Sequence, residues 1–341
     1  MLIVMKSGST REERERVLDL IQALGYERKA ITLGDREAVR LEGCDELPRL
    51  QLFEELPGVD GVWPLSRGAR LAGRTSRQPD TVVRVGAVTI GSGGLTLVAG
   101  PCAVEDEQQV LEVARAVKRA GADLLRGGAY KPRTSPYEFQ GLGEPGLRML
   151  ARAREETGLP IITEAVDEAS LELVESYGDI IQIGARNMQN YELLKRAGRA
   201  RRPVLLKRGI SATLEDWLMS AEYLLDAGNP NVILCERGIR TFSLHSRYTL
   251  DLSIVPVLER ATHLPVFVDP SHASGNRRSV APLARAALAV GADGVMVEVH
   301  PDPRHALCDG PQSMSPVEFG LLAASLRALA ACLARERETV S

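Results

Sequence analysis

The sequence predicts an α/β protein, a (β/α)8 barrel preceded by a small α+β domain. Two observations carry the barrel. From residue 96 onward eight short apolar runs recur at near-regular spacing: TLVAG (96–100), LLRGG (124–128), PIITEA (160–165), IIQIGA (180–185), PVLLKRG (203–209), VILCERG (232–238), PVFVDPS (265–271) and GVMVEV (294–299). Most gaps between them hold a helix-length segment, which makes consecutive strands parallel. Eight such units close into a barrel of about 250 residues. A third observation points to function. The runs end in or run into Cys102, Arg126, Lys131, Glu164, Arg186, Lys207, Arg237, His272 and Glu298. A barrel's active site lies at the C-terminal ends of its strands, so the pattern reads as an enzyme acting on anions.

Residues 1–65 have a separate rhythm. LIVM (2–5) reads as a strand. Thr10–Leu24 reads as a helix capped by Ser9 or Thr10, with Val17, Leu18, Ile21 and Leu24 on one face. Strands near Lys29–Leu33 and Ala38–Leu41, a helix over Glu46–Leu56 and a strand over Val59–Pro64 complete βαββαβ, the ferredoxin-like order. Arg-rich residues 66–81 read as a linker and 82–94 as a hairpin closing the barrel's bottom, with the catalytic barrel over 95–335. Barrel helices are expected over Glu105–Ala120 (Val110, Leu111, Ala114 and Val117 inward), Ala212–Ala227, Val280–Val290 and Pro316–Ala334. Gly121, Gly158, Gly228 and Gly291 stand where helices should stop.

Composition narrows the class. Lys and Arg total 42 against 45 Asp and Glu, which argues against a general nucleic-acid or membrane-surface binder. Aromatic residues are only 4%, little material for stacking bases. No targeting segment or uninterrupted membrane-length apolar run is evident. Cys44, Cys102, Cys235, Cys308 and Cys332 show no paired spacing, so free thiols and the cytoplasm are the expectation. Gly141, Gly143 and Gly146 match G-x-G-x-x-G, but no strand precedes them and Pro145 interrupts, so a loop is the better reading.

Two constellations carry chemistry. Cys102, His272 and Glu298 lie at or just past the ends of strands one, seven and eight, which are neighbours in a closed barrel, and Asp309 follows the last. One thiolate, one imidazole and two carboxylates suit a divalent ion such as Mn, Fe, Co or Zn. Cys308 is a rival thiol in a loop, and His300 and His305 are alternatives expected to face solvent. Arg126, Lys131, Arg133, Arg186, Lys207 and Arg237 form the second set, six cations at one mouth. Arg forks match phosphate and carboxylate oxygens, so the substrates should carry several negative charges.

These residues sit in long motifs. GPCAVE (100–105), RGGAYKPRTSPYEFQGLG (126–143), IGARNMQN (183–190), LLKRG (205–209), LCERGIRTF (234–242), DPSHASG (269–275) and VEVHPDP (297–303) resemble 3-deoxy-D-arabino-heptulosonate 7-phosphate (DAHP) synthase of the type I beta branch. The resemblance covers residue 84 to about 335, and the N-terminal segment resembles the regulatory domain of some members. It implies condensation of phosphoenolpyruvate with erythrose 4-phosphate, releasing phosphate, the first step towards aromatic amino acids. It places Cys102, His272, Glu298 and Asp309 on a metal. It also places Arg126, Lys131, Ala185, Arg186, Lys207 and Arg237 at phosphoenolpyruvate, and Lys131, Pro132, Arg133 and Thr134 on the sugar-phosphate side. Lys131 is the candidate general acid and Glu144 a candidate for handling water. The resemblance also implies a homotetramer and an aromatic amino-acid effector, although residues 1–65 lack the histidine some regulated relatives use. Octulosonate 8-phosphate synthases share the barrel but typically carry a KANRSS-like run where this chain has KPRTS. They and the sialic acid synthases are the alternatives. A non-catalytic amino-acid sensor is the remote one, because no expected ligand or Lys131 is missing.

Overall fold

The structure is a computed structural model that describes residues 1–33, 36–42, 50–63, 69–74, 76–77, 79–133 and 135–340. The chain divides into two compact units, Met1–Gln78 with Val257–His263, and Pro79–Pro256 with Leu264–Ser341.

In the first unit, strands β1 (Leu2–Met5), β2 (Glu27–Leu33), β3 (Arg36–Glu42) and β4 (Val59–Trp63) pair antiparallel in the order β2-β3-β1-β4. Helices α1 (Arg11–Ala23) and α2 (Leu50–Glu54) connect them; the start of the helix expected from Glu46 lies outside the described residues. Thr10 caps α1. Its hydroxyl accepts from the Glu13 amide while Glu13 returns to the Thr10 amide, a reciprocal capping box worth about 1 kcal/mol. Val17 and Ile21 of α1 and Phe53 of α2 pack on Ile3, Leu41 and Val62. Residues 69–74 belong to this packed unit. The Arg74 amide donates to the Ala261 carbonyl at 2.9 Å, and the Thr262 hydroxyl to the Ala72 carbonyl at 2.5 Å.

The second unit opens with the hairpin β5 (Val83–Val85) and β6 (Val88–Ile90). Eight parallel strands then close a barrel: β7 (Thr96–Gly100), β8 (Leu124–Arg126), β9 (Ile161–Ala165), β10 (Ile180–Ile183), β11 (Val204–Lys207), β12 (Val232–Glu236), β13 (Val266–Val268) and β14 (Gly294–Glu298). Val98, Leu124, Ile162, Ile180, Leu205, Ile233, Phe267 and Met296 fill its interior, and Val83, Val85 and Ile90 of the hairpin join that cluster. The hairpin's Gly86 and Gly91 come close to Pro160 and Pro265, which precede β9 and β13, so it seals the N-terminal end. The opposite end stays open for loops. Gly294 makes room inside: a Cβ there would lie 2.4 Å from the Phe267 ring.

The ring of helices comprises α3 (Glu107–Arg119), α4 (Glu144–Thr157), α5 (Glu168–Tyr177), α6 (Tyr191–Gly198), α7 (Leu214–Asp226), α8 (Ile254–Ala261), the short α9 (Pro270–Ser274), α10 (Arg277–Ala289) and α11 (Pro316–Val340). On α3 the buried face is Val110, Val113, Ala114 and Val117. Val113 takes the place expected of Leu111 because the i, i+3, i+4, i+7 stripe is the one that meets the sheet. Gly121, Gly158, Gly228 and Gly291 all carry positive φ, the left-handed backbone that ends a helix. Pro316–Glu336 of α11 is apolar and long enough to cross a membrane by length and composition alone. Here Phe319, Leu322, Ala323 and Leu326 are buried as α11 packs beside α10 and α3.

Candidate active site

The open end is built where β7 and β14 run side by side, with Gly100 paired to Glu298. Gly100 has φ 153°, and a Cβ there would lie 1.9 Å from the Arg126 carbonyl oxygen, so only glycine lets this turn pass so close to β8. Two residues on, Cys102 points into the mouth. His272 sits on α9, just past β13, with its amide donating to Asp269 Oδ1 at 3.0 Å. Asp309 follows β14 in a loop with φ 53°, the single non-glycine positive φ among the described residues. Aspartate is one of the few side chains that tolerates that backbone, and such residues cluster at functional sites.

Cys102, His272, Glu298 and Asp309 offer donor atoms that all lie within 4.8 Å of one another. His272 Nε2 is 3.2 Å from Glu298 Oε1, and Cys102 Sγ is 3.1 Å from Asp309 Oδ2. One soft thiolate, one imidazole and two carboxylates, closely set and three of them buried, fit a divalent transition metal. His272 Nδ1 lies 2.7 Å from Asp269 Oδ2, and Lys207 Nζ donates to the same oxygen. Burial works against the Asp269 charge, yet His272 and Lys207 hold its carboxyl well below the ordinary range. Burial lowers the His272 pKa, leaving a neutral ring suited to ligation.

A cation stands against each of four groups at this cluster. Arg126 Nη1 donates to Glu298 Oε1 at 2.5 Å, with side chains 3% and 0% exposed. Lys131 Nζ lies 3.0 Å from Cys102 Sγ, Arg247 Nη1 donates to Asp309 Oδ1 at 3.0 Å, and Arg133 Nη1 donates to Cys308 Sγ at 2.6 Å. Burial pushes the Cys102 thiol above its usual range, whereas hydrogen bonding from Cys102 lowers Cys308.

Farther round the mouth Arg237 is 7% exposed, and its Nη1 has no hydrogen-bond partner among the described residues. Its guanidinium lies 4.4 Å from the centre of the Tyr248 ring. Leaving a buried charged donor without an acceptor is costly, so Arg237 is aimed at an anion. Arg186, in a 3-10 turn over Ala185–Asn187, is exposed, and its charge is one of those lowering the Tyr248 pKa against burial, after Arg237 and Arg247. Lys207 is 3% exposed and faces inward on Asp269. Lys131 and Pro132 line the loop after β8, and Arg133 is forked onto Glu138; Thr134 lies outside the described residues.

Two expectations need correction. Glu144 is not drawn into the cluster: as the first residue of α4 it accepts from Arg148 at 2.8 Å and Tyr177 at 2.9 Å. His300 does not face solvent but is 6% exposed, with Nε2 3.3 Å from Glu105 Oε2. His305 is exposed and pairs with Asp302. Lys207 also contacts Asp269.

Sequence reasoning missed Asp269, Arg247, Tyr248 and the Arg208–Glu236 pair. Buried Arg208 donates to Glu236 at 3.0 Å, and Glu236 Oε1 accepts from the Gly238 amide at 2.6 Å, which fixes the turn carrying Arg237. Asp269 had a signal, an acid three residues before a candidate ligand histidine. Arg247 and Tyr248 had none, since a long loop brings them in.

Residues 75–333 match the DAHP synthetase I family. A phospho-2-dehydro-3-deoxyheptonate aldolase from Thermotoga maritima is 46% identical over 98% of both chains. A 2-dehydro-3-deoxyphosphooctonate aldolase from Magnetococcus marinus is 35% identical over 69% of this chain and 87% of its own. The crystal structure of the Thermotoga maritima DAHP synthase superposes with a TM-score of 0.76 at 45% identity, covering 97% of each chain. A truncated form of that enzyme gives 0.73 at 48% identity over 78% of this chain and 97% of its own.

Proposed function

Because this chain belongs to the DAHP synthetase I family, we propose that its open barrel end condenses phosphoenolpyruvate with erythrose 4-phosphate to give DAHP and inorganic phosphate. The observation that carries the reading is the buried Nη1 of Arg237, without a hydrogen-bond partner among the described residues, at the same end of the barrel as a four-donor cluster. An anion and a divalent ion are thereby expected within one mouth.

A divalent ion held by Cys102, His272, Glu298 and Asp309 supplies Lewis-acid polarisation of the aldehyde or orientation of water when bound. Arg237, Arg186 and Lys207 bind the phosphate of phosphoenolpyruvate, and Arg126 with Lys131 its carboxylate side. Pro132, Arg133 and Thr134 receive the sugar phosphate; Pro132 fixes the local backbone and narrows that side. The enol carbon C3 forms a bond to the aldehyde carbon. Lys131, fixed between the Cys102 carbonyl and thiol, delivers a proton to the resulting alkoxide oxygen. Water adds to C2, and phosphate leaves with its bridging C–O bond cleaved.

The heptonate relative spans 98% of this chain, the N-terminal unit included, whereas the octonate relative spans 69%. That coverage favours the four-carbon aldose. Loss of enol absorbance should be rapid with erythrose 4-phosphate and slow with arabinose 5-phosphate; equal rates would move the protein to the sister activity. We place the enzyme in the reducing cytoplasm, in keeping with its buried free thiols. We also propose that the N-terminal unit binds an aromatic amino-acid effector. The enzyme is expected to be a homotetramer, and Val317 and Leu321, 75% and 72% exposed on α11, are apolar surface that association would cover.

A further inference from the structure

Arg237 is buried, yet its Nη1 has no hydrogen-bond partner among the described residues. An arginine side chain is long and can point many ways, so a site that uses one must hold it before the anion arrives. The Arg237 guanidinium carbon lies 4.4 Å from the centre of the Tyr248 ring, well inside the roughly 6 Å over which a ring face attracts a cation. The Arg247 guanidinium stands 5.7 Å from the same ring.

Tyr248 is itself anchored. Ile239 and Thr249 exchange backbone hydrogen bonds, each 2.9 Å, which tie together the two ends of the excursion after β12. The Tyr248 amide donates to the Ala273 carbonyl at 2.8 Å, and the Arg247 amide to the Ser274 carbonyl at 3.2 Å, so α9 holds the other side. Gly238 follows Arg237 with φ 94°, and a Cβ there would lie 2.7 Å from Tyr248 Cβ. Only glycine lets position 248 come so close to the turn that carries Arg237.

We propose that Tyr248 is a positioning residue for the anion site, its ring face setting the Arg237 guanidinium for a phosphate group before substrate enters. The inference rests on the reading of Arg237 as a phosphate partner of phosphoenolpyruvate and names the residue that sets it. A guanidinium already in place loses less freedom on binding. The ring takes no part in bond making, so its loss weakens binding and spares the chemical steps.

The test measures phosphoenolpyruvate binding by calorimetry, and steady-state kinetics, on the full-length protein and its variants. Tyr248→Leu should raise the phosphoenolpyruvate Kd and KM about 5- to 30-fold with kcat changed by less than about twofold. Tyr248→Phe keeps the ring face and should stay within about twofold of the unmutated protein. In an Arg237→Ala background, Tyr248→Leu should add less than about twofold, because a residue that acts through another is not additive with it. An equal rise in both backgrounds overturns the proposal, since the ring would then act without Arg237. Tyr248→Phe binding as weakly as Tyr248→Leu overturns it too, as does Tyr248→Leu binding normally while Arg237→Ala binds weakly. If Arg237→Ala itself binds phosphoenolpyruvate normally, the phosphate reading of Arg237 fails and takes the proposal with it.

Discussion

Asp269 Oδ2 sits 2.7 Å from His272 Nδ1, and this contact decides which ring nitrogen faces Glu298. With the carboxylate charged, the proton stays on Nδ1 and Nε2 keeps its lone pair for an ion. Asp269→Asn keeps the shape and loses the charge. We expect metal affinity to fall about 10- to 100-fold by calorimetric titration. Unchanged affinity would reduce Asp269 to a cap for α9.

Chelation should abolish turnover, and manganese or another divalent ion should restore it. Cys102→Ser exchanges a soft donor for a poor one and should depress both metal content and rate. Full activity in protein shown by elemental analysis to be metal-free would refute the assignment.

The cations should separate in kinetics. Lys131→Ala should lower kcat more than it raises KM, because the proton is needed only as the alkoxide forms. Arg237→Ala removes a buried anion partner and Arg186→Ala an exposed one. Both should raise the phosphoenolpyruvate KM, Arg237→Ala by about 10- to 100-fold, since a charge-assisted bond contributes roughly 1.5–3 kcal/mol. The reverse split would exchange the roles of Lys131 and Arg186.

Acid stability should report the α5 cap. The Ser170 amide donates to Asp167 Oδ1 at 2.7 Å, and that bond, with the Ser170 hydroxyl, holds the carboxyl below its usual pKa. A depressed carboxyl stabilises the fold above the unfolded value of about 3.9, and this is lost as pH falls through the folded value. Asp167→Ala should therefore cost about 1 kcal/mol at pH 6 and less near pH 3. Thermal melts at both values measure it; an equal deficit at each would exclude the charge as its source.

A chain beginning at residue 79 should fold as the barrel, since the hairpin and all eight strands lie beyond it. If the N-terminal unit carries the effector site, the shortened enzyme keeps activity and loses its response to tyrosine and phenylalanine. Coupling of about 1–3 kcal/mol would shift the full-length enzyme about 5- to 150-fold. No response in either form removes the regulatory role.

The barrel was legible because its strands, buried on both faces, are short apolar runs separated by helical lengths, which a single periodicity captures. The donors Cys102, His272 and Glu298 were legible because they end those runs. Glu144 was misplaced because its nearness to KPRTS in sequence says nothing of α4, whose first turn faces Arg148 and Tyr177. His300 was misjudged because a loop position suggests water, and only the fold brings Glu105 to it. Arg247 and Tyr248 come from a loop with no repeat to read, so their place beside Asp309 and Arg237 is set by tertiary contacts alone.

The 3.4 Å between the sulfurs of Cys102 and Cys308 has a redox consequence. A disulfide needs them only about 1.4 Å closer, at roughly 2.05 Å. Metal-free protein exposed to glutathione disulfide should lose two titratable thiols, one electron leaving each sulfur as the glutathione is reduced, and dithiothreitol should return them. An ion that engages the Cys102 thiolate blocks this exchange. Two preparations of one sequence, stored with and without metal, will then differ in how they age in air, and the loaded one will keep the Cys102 sulfur reduced.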